Sequence, residues 1–129
     1  MKATIKINGK TYSDFNEIQY INEADSFPIY VTLLDNNYEY KNLTDKTVTA
    51  TLEFFEVKDN TNKFTLTGTV ETAASGFLKF EVDDEFVGRG YMIYKVFMRL
   101  VNTTDSENYN VFLGKLIITA DEENFGEVA

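Results

Sequence analysis

The sequence predicts an all-β protein, an antiparallel sandwich of two sheets, and three observations carry that prediction. Apolar residues recur with period two along most of the chain, the repeat of a strand with one dry face. Strand-forming residue types agree with it, with 11 phenylalanines and 8 tyrosines among 129 residues and a single proline. Short polar clusters break these runs at near-regular spacing, and nowhere does a long segment show the 3.6-residue repeat of an amphipathic helix.

Taken in chain order, Ile5-Lys6-Ile7-Asn8-Gly9-Lys10-Thr11-Tyr12 sets an Asn-Gly pair between two extended segments, a hairpin signal. Residues 1–22 are therefore predicted as an amino-terminal arm or hairpin that pairs with a sheet edge or reaches a neighbouring subunit. In Phe27-Pro28-Ile29-Tyr30-Val31-Thr32-Leu33 the odd positions form one apolar face. Asp35-Asn36-Asn37 then turns the chain, because short amide and carboxylate side chains bond back to local backbone. Thr47 to Phe54 is the cleanest alternation, with Val48, Ala50, Leu52 and Phe54 inward and threonines with Glu53 outward. The Phe54-Phe55 pair breaks it, which predicts a bulge or the end of a sheet.

Lys58-Asp59-Asn60-Thr61-Asn62 is the next polar turn, and Phe64, Leu66 and Val70 resume period two across Gly68. After the small-residue loop Ala73-Ala74-Ser75-Gly76 comes the strand Phe77-Leu78-Lys79-Phe80-Glu81-Val82. Asp83-Asp84-Glu85-Phe86-Val87-Gly88 reads as one helical turn with acids at its amino end. Tyr91 to Val101 is apolar on both faces apart from Lys95 and Arg99, so it is predicted to lie in the middle of its sheet. Thr103 to Asn108 turns the chain once more, and Tyr109 to Thr119 is the last strand. Strands so spaced predict an immunoglobulin-like sandwich over residues 23–121, with a small closed barrel as the alternative architecture and an acidic tail at 122–129.

Composition removes function classes more readily than it assigns one. There is no cysteine and no histidine, which excludes disulfides, thiolate nucleophiles, imidazole or thiolate metal sites and histidine acid–base chemistry. Twenty-one acids against 12 cations give a formal charge of −9, the wrong sign for neutralising phosphates or binding an anionic membrane surface. The expected partners accordingly include no nucleic acid and no membrane. The first residues carry no apolar block of the signal-peptide kind.

Carboxylates are the only candidates for chemistry. Asp83-Asp84-Glu85 and Asp121-Glu122-Glu123 offer oxygen ligands, but neither has the spacing of a calcium loop, and solvated loops account for both. Paired carboxylates hydrolyse glycosides only when a cleft holds them at a set separation, and nothing in the sequence predicts one. The reading is therefore not an enzyme, with no catalytic residue, metal or cofactor. Tyrosine is a good contact residue because its ring buries area while its hydroxyl stays bonded. Tyr12, Tyr38 and Tyr40 are the candidate interface residues, and the last two, beside the Asp35 turn, are the hardest to explain as core. Gly90-Tyr91 stands where a sandwich often places a tyrosine whose hydroxyl ties a corner. Asn42-Leu43-Thr44 and Asn102-Thr103-Thr104 match the glycosylation pattern by chance.

Several of these segments together carry a family resemblance. Ala24-Asp25-Ser26 is followed by the strand Ile29 to Leu34 with its Asp35-Asn36-Asn37 turn. An Asn42-Leu43-Thr44 corner then leads into the threonine–valine strand Thr47 to Leu52. Gly76-Phe77-Leu78-Lys79-Phe80, Gly90-Tyr91 and a closing strand to Ile118 complete the series. In this order the chain from Glu23 to about Asp121 resembles the amino-terminal immunoglobulin-like domain of phage baseplate upper proteins, from tailed phages of Gram-positive bacteria. The resemblance implies a structural virion module made in the bacterial host cytoplasm. Such a module docks to other phage tail and baseplate proteins, further copies of itself included, through sheet edges and exposed aromatics. The chain departs from that family in its residue 1–22 segment and in the absence of a trimerising helix or fibre after the domain. The alternative reading is a carbohydrate-binding or cell-surface adhesion module that stacks sugars on Tyr38 and Tyr40.

Overall fold

A computed structural model describes residues 2–7, 10–12, 18–22 and 26–119, with side chains for 2–7 and 26–119. The strands are β1 (Lys2–Ile7), β2 (Lys10–Tyr12), β3 (Ile18–Asn22), β4 (Phe27–Leu34), β5 (Val48–Glu56), β6 (Thr61–Thr67), β7 (Thr69–Thr72), β8 (Phe77–Val82), β9 (Met92–Asn102) and β10 (Glu107–Thr119). They form two five-stranded sheets, ordered β2-β1-β4-β8-β7 and β3-β10-β9-β5-β6. All pairings are antiparallel except β3 with β10, which is parallel. The all-β sandwich is thus the fold, in two separate sheets and not a closed barrel.

Alternation sets the core. Phe27, Ile29, Val31 and Leu33 of β4 are buried, as are Leu78, Phe80 and Val82 of β8, and β1 adds Ala3, Ile5 and Ile7. Opposite them stand Ala50, Leu52 and Phe54 of β5 and Tyr94, Val96, Met98 and Leu100 of β9. Burying a side chain of this size stabilises by about 1.5–3 kcal/mol relative to leaving it in water. The central place predicted for the strand after Tyr91 is found: β9 lies between β10 and β5 in the middle of its sheet. Ile7 pairs with Lys10 across positions 8 and 9, which themselves lie outside the described residues.

Two loop residues close the ends of the sandwich. Leu43, between β4 and β5, is buried with its N–H donating to the Ala73 carbonyl at 2.8 Å. Phe86, between β8 and β9, is fully buried in an aromatic cluster with Phe54, Phe64 and Tyr94, its ring centroid 5.0–5.6 Å from theirs. Residues 83–88 form bends and turns, with Val87 N–H donating to the Asp84 carbonyl. In place of the predicted helical turn stand two overlapping hydrogen-bonded turns, the second from the Arg89 N–H to the Phe86 carbonyl, with Phe86 in the core and the acids in water. The small-residue loop is a single 3-10 turn, Ala73–Ser75, capped by Gly76 in the left-handed region at φ +62°.

Gly68 is where the chain leaves one sheet for the other, between β6 and β7. A Cβ there would sit 2.5 Å from the Phe80 ring, so only glycine lets the crossing pass over the core. The break predicted at Phe54-Phe55 is a bulge: the register with β6 shifts at that point and Lys63 is the extra residue. The pairing of β5 with β9 runs through the same position without interruption.

Candidate functional site

The outward surface of the second sheet carries three phenylalanines at its centre. The register of β5, β9 and β10 arranges it in rungs. Phe55, Lys95 and Lys115 share one rung; Glu53, Phe97 and Phe112 share the next; Thr51, Arg99 and Asn110 share the third. Phe97 contacts both neighbouring phenylalanines, with ring centroids 5.5 Å from Phe55 and 5.2 Å from Phe112. Such pairs are worth about 0.5–1.5 kcal/mol beyond the area they bury. None of the three rings belongs to the core cluster. Glu53, Phe55, Asn60, Phe97 and Asn110 line a hollow of ≈ 240 Å³ beside them.

The charge around these rings is opposite in sign to that of the chain. Among the described residues of β5, β9 and β10, Lys95, Arg99 and Lys115 face outward with the carboxylate Glu53. Among the described residues the ion pairs belong to Lys41, Lys46, Lys63 and Lys79, and none reaches these three cations. Lys95 and Lys115 stand directly opposite one another, a like-charge cross-strand pair that destabilises a sheet.

The predicted interface tyrosines are placed differently. Tyr38 and Tyr40 lie in the loop after β4, 66% and 65% exposed. Tyr38 has φ +63°, and the Asp35 carboxylate holds the turn by accepting the N–H groups of Asn37 and Glu39. The Lys2 ammonium sits 4.0 Å from the Tyr38 ring centroid and donates to its hydroxyl, so one face of that ring is occupied. Tyr12 lies in β2, and its side chain is outside the described atoms. Sequence reasoning missed the outward phenylalanines, although two signals marked them. They were the apolar run on both faces of 91–101 and the Phe54-Phe55 break, each of which puts an aromatic on the wet side.

Polar groups elsewhere are engaged in holding loops. Asn102, only 1% exposed, donates to Asp105 at 2.9 Å and to Glu107 at 3.1 Å, and accepts the Asp105 N–H. It is therefore a turn-bracing residue, not a glycosylation acceptor. Hydrogen bonds from the Lys46 ammonium and from Asn102 hold the Asp105 carboxyl below the usual carboxylate range. The Tyr109 hydroxyl does the same for Glu107, helped by Lys41 and Asn102. Asp83 bonds to Ser26, and the Asp83 N–H donates to Glu85 at 3.0 Å. Among the described residues no group of three or more acids could hold a metal ion; Asp121-Glu122-Glu123 lies outside them. Tyr91 is 62% exposed at the rim of a second hollow of ≈ 380 Å³, with Val57, Lys58, Met92 and Ile93. It ties no buried corner. The tyrosine that does enter the core is Tyr94, whose phenol burial pushes up.

No family model and no curated protein matches this chain significantly.

Proposed function

We propose that the protein is a non-catalytic structural module of a phage tail or baseplate, docking to other virion proteins. The observation that carries this reading is the outward aromatic surface of β5, β9 and β10, three phenylalanines that the core does not use. Half-buried aromatic side chains on an outward sheet face, flanked by charge, suit a protein contact better than a small-molecule site.

Strand order supports the immunoglobulin-type part of the proposal. The order β1-β4-β8-β7 facing β10-β9-β5-β6 corresponds to the A-B-E-D and G-F-C-C′ sheets of that architecture. The Asn42-Leu43-Thr44 corner of the resemblance also has a physical role: Asn42 accepts the Thr44 N–H at 2.9 Å while Leu43 fills the sandwich end. Edge strands β6 and β7, rich in threonine and exposed, offer backbone groups for strand addition.

The test is the composition of purified particles from the phage or prophage that encodes the chain. Mass spectrometry is expected to find it in the tail fraction, and co-expression with the products of neighbouring genes is expected to give a complex on size exclusion. Its absence from particles, together with neighbouring genes unrelated to tail assembly, would overturn the reading.

A further inference from the structure

Three features of the outward sheet face point to one kind of occupant. Along β9 the outward residues run Lys95, Phe97, Arg99, a cation, an aromatic ring and a cation at every second position. Every second residue of a strand is about 6.6–7 Å from the last. The best complement is an extended segment with the same spacing and opposite sign: acid, any residue, aromatic, any residue, acid. The unrelieved Lys95–Lys115 pair calls for carboxylates from outside the described residues. An open hollow of ≈ 240 Å³ beside Phe97, between Phe55 and Asn110, offers room for a side chain of the occupant.

The chain contains that pattern at Glu123-Asn124-Phe125-Gly126-Glu127. We propose that the outward face of β5, β9 and β10 docks this carboxy-terminal segment from a second copy of the chain. Phe125 fills the hollow beside Phe97, and Glu123 and Glu127 pair with the cations that flank it. The inference rests on the docking-module reading and names one of its contacts.

Reach favours a second copy over the chain's own segment. Ile118 pairs with Met92, so Thr119, one residue further on, stands six positions from the Phe97 rung of β9, about 20 Å. Six residues from Thr119 to Phe125 span at most about 20 Å fully extended, and reversing direction onto the face uses part of that. The chain's own Phe125 therefore falls short of Phe97. Glu53 lies opposite Phe97, so the described residues of the three strands set three cations against one acid on this face.

Sedimentation of the full chain across concentration tests this, beside fluorescence anisotropy of a labelled synthetic peptide of residues 119–129. The wild type is expected to gain mass with concentration and to bind the peptide. Phe125→Ser should abolish self-association while its intact face still binds the peptide. Lys95→Glu/Arg99→Glu should lose both, with association at least tenfold weaker and circular dichroism unchanged. Mixing that variant with Glu123→Arg/Glu127→Arg should restore association that neither shows alone. A wild-type chain that stays monomeric, or association untouched by these variants, would overturn the proposal. Neither result bears on whether the chain occurs in tail particles, which tests the docking reading separately.

Discussion

Replacing Gly76 by alanine should destabilise the sandwich by about 3–4 kcal/mol, a magnitude that follows from its surroundings. The residue has φ +62°, and a left-handed conformation costs a residue with a Cβ roughly 1–2 kcal/mol. The added Cβ would also lie 2.6 Å from the Lys41 carbonyl oxygen and 3.1 Å from that of Leu33. Both are backbone atoms, so neither can swing aside. Relief requires shifting the Leu33 N–H bond to the Gly76 carbonyl (2.9 Å) and the Lys41 N–H bond to the Leu33 carbonyl (3.0 Å). Each such bond is worth about 1 kcal/mol net. Gly88 is an internal control: its φ is +79°, but nothing lies within 4 Å of a Cβ there, so alanine should cost only the conformational part, about 1 kcal/mol. Urea unfolding followed by tyrosine fluorescence and circular dichroism separates the two. With a slope of about 1.5 kcal/mol/M the midpoints should fall by about 2 M and 0.7 M. Equal shifts for the two variants would refute the steric account of the loop–sheet junction.

Phe86→Ala should cost about 3–5 kcal/mol in the same assay, because it empties the aromatic plug among Phe54, Phe64 and Tyr94. Tyr91→Phe should change stability by less than about 0.5 kcal/mol, since the side chain is exposed; a large loss would restore it as a corner residue. Asp105 and Glu107 have depressed carboxyl pKa values in the folded state. Their contribution is therefore complete above the unfolded values near pH 4 and is lost as pH falls through the lower folded values. Thermal melts should accordingly be insensitive to these groups at neutral pH and become sensitive below about pH 4. Carboxyl NMR titration should place both groups below the ordinary carboxylate range in the native protein, and Lys46→Met should move Asp105 back toward it.

Much of the fold was legible because a strand with one wet face writes its orientation into every second residue. β4 and β5 were readable in this way: each odd–even assignment for 27–33 and 48–54 matches the burial in the structure. Gly68 marked an interruption, but the crossing between sheets was invisible, since the Phe80 ring that demands glycine lies on another strand. Tyr91 misled because a tyrosine after glycine at a strand start is a local pattern, whereas corner bonding depends on what packs above it. The candidate surface was hidden for a related reason. Phe55, Phe97 and Phe112 are on three strands, and only the register that sets Phe97 between Glu53 and Phe112 makes them neighbours.

The sequence by itself determined the class of fold, the absence of thiol and imidazole chemistry, and the sign of the charge. These depend on residue type and on spacing along one chain. Tertiary structure alone decided which loop residues plug the ends, where the chain changes sheets, and that Lys95, Arg99 and Lys115 flank three clustered phenylalanines on an acidic protein. Those are relations between residues far apart in sequence, brought together by strand pairing whose register no local pattern encodes.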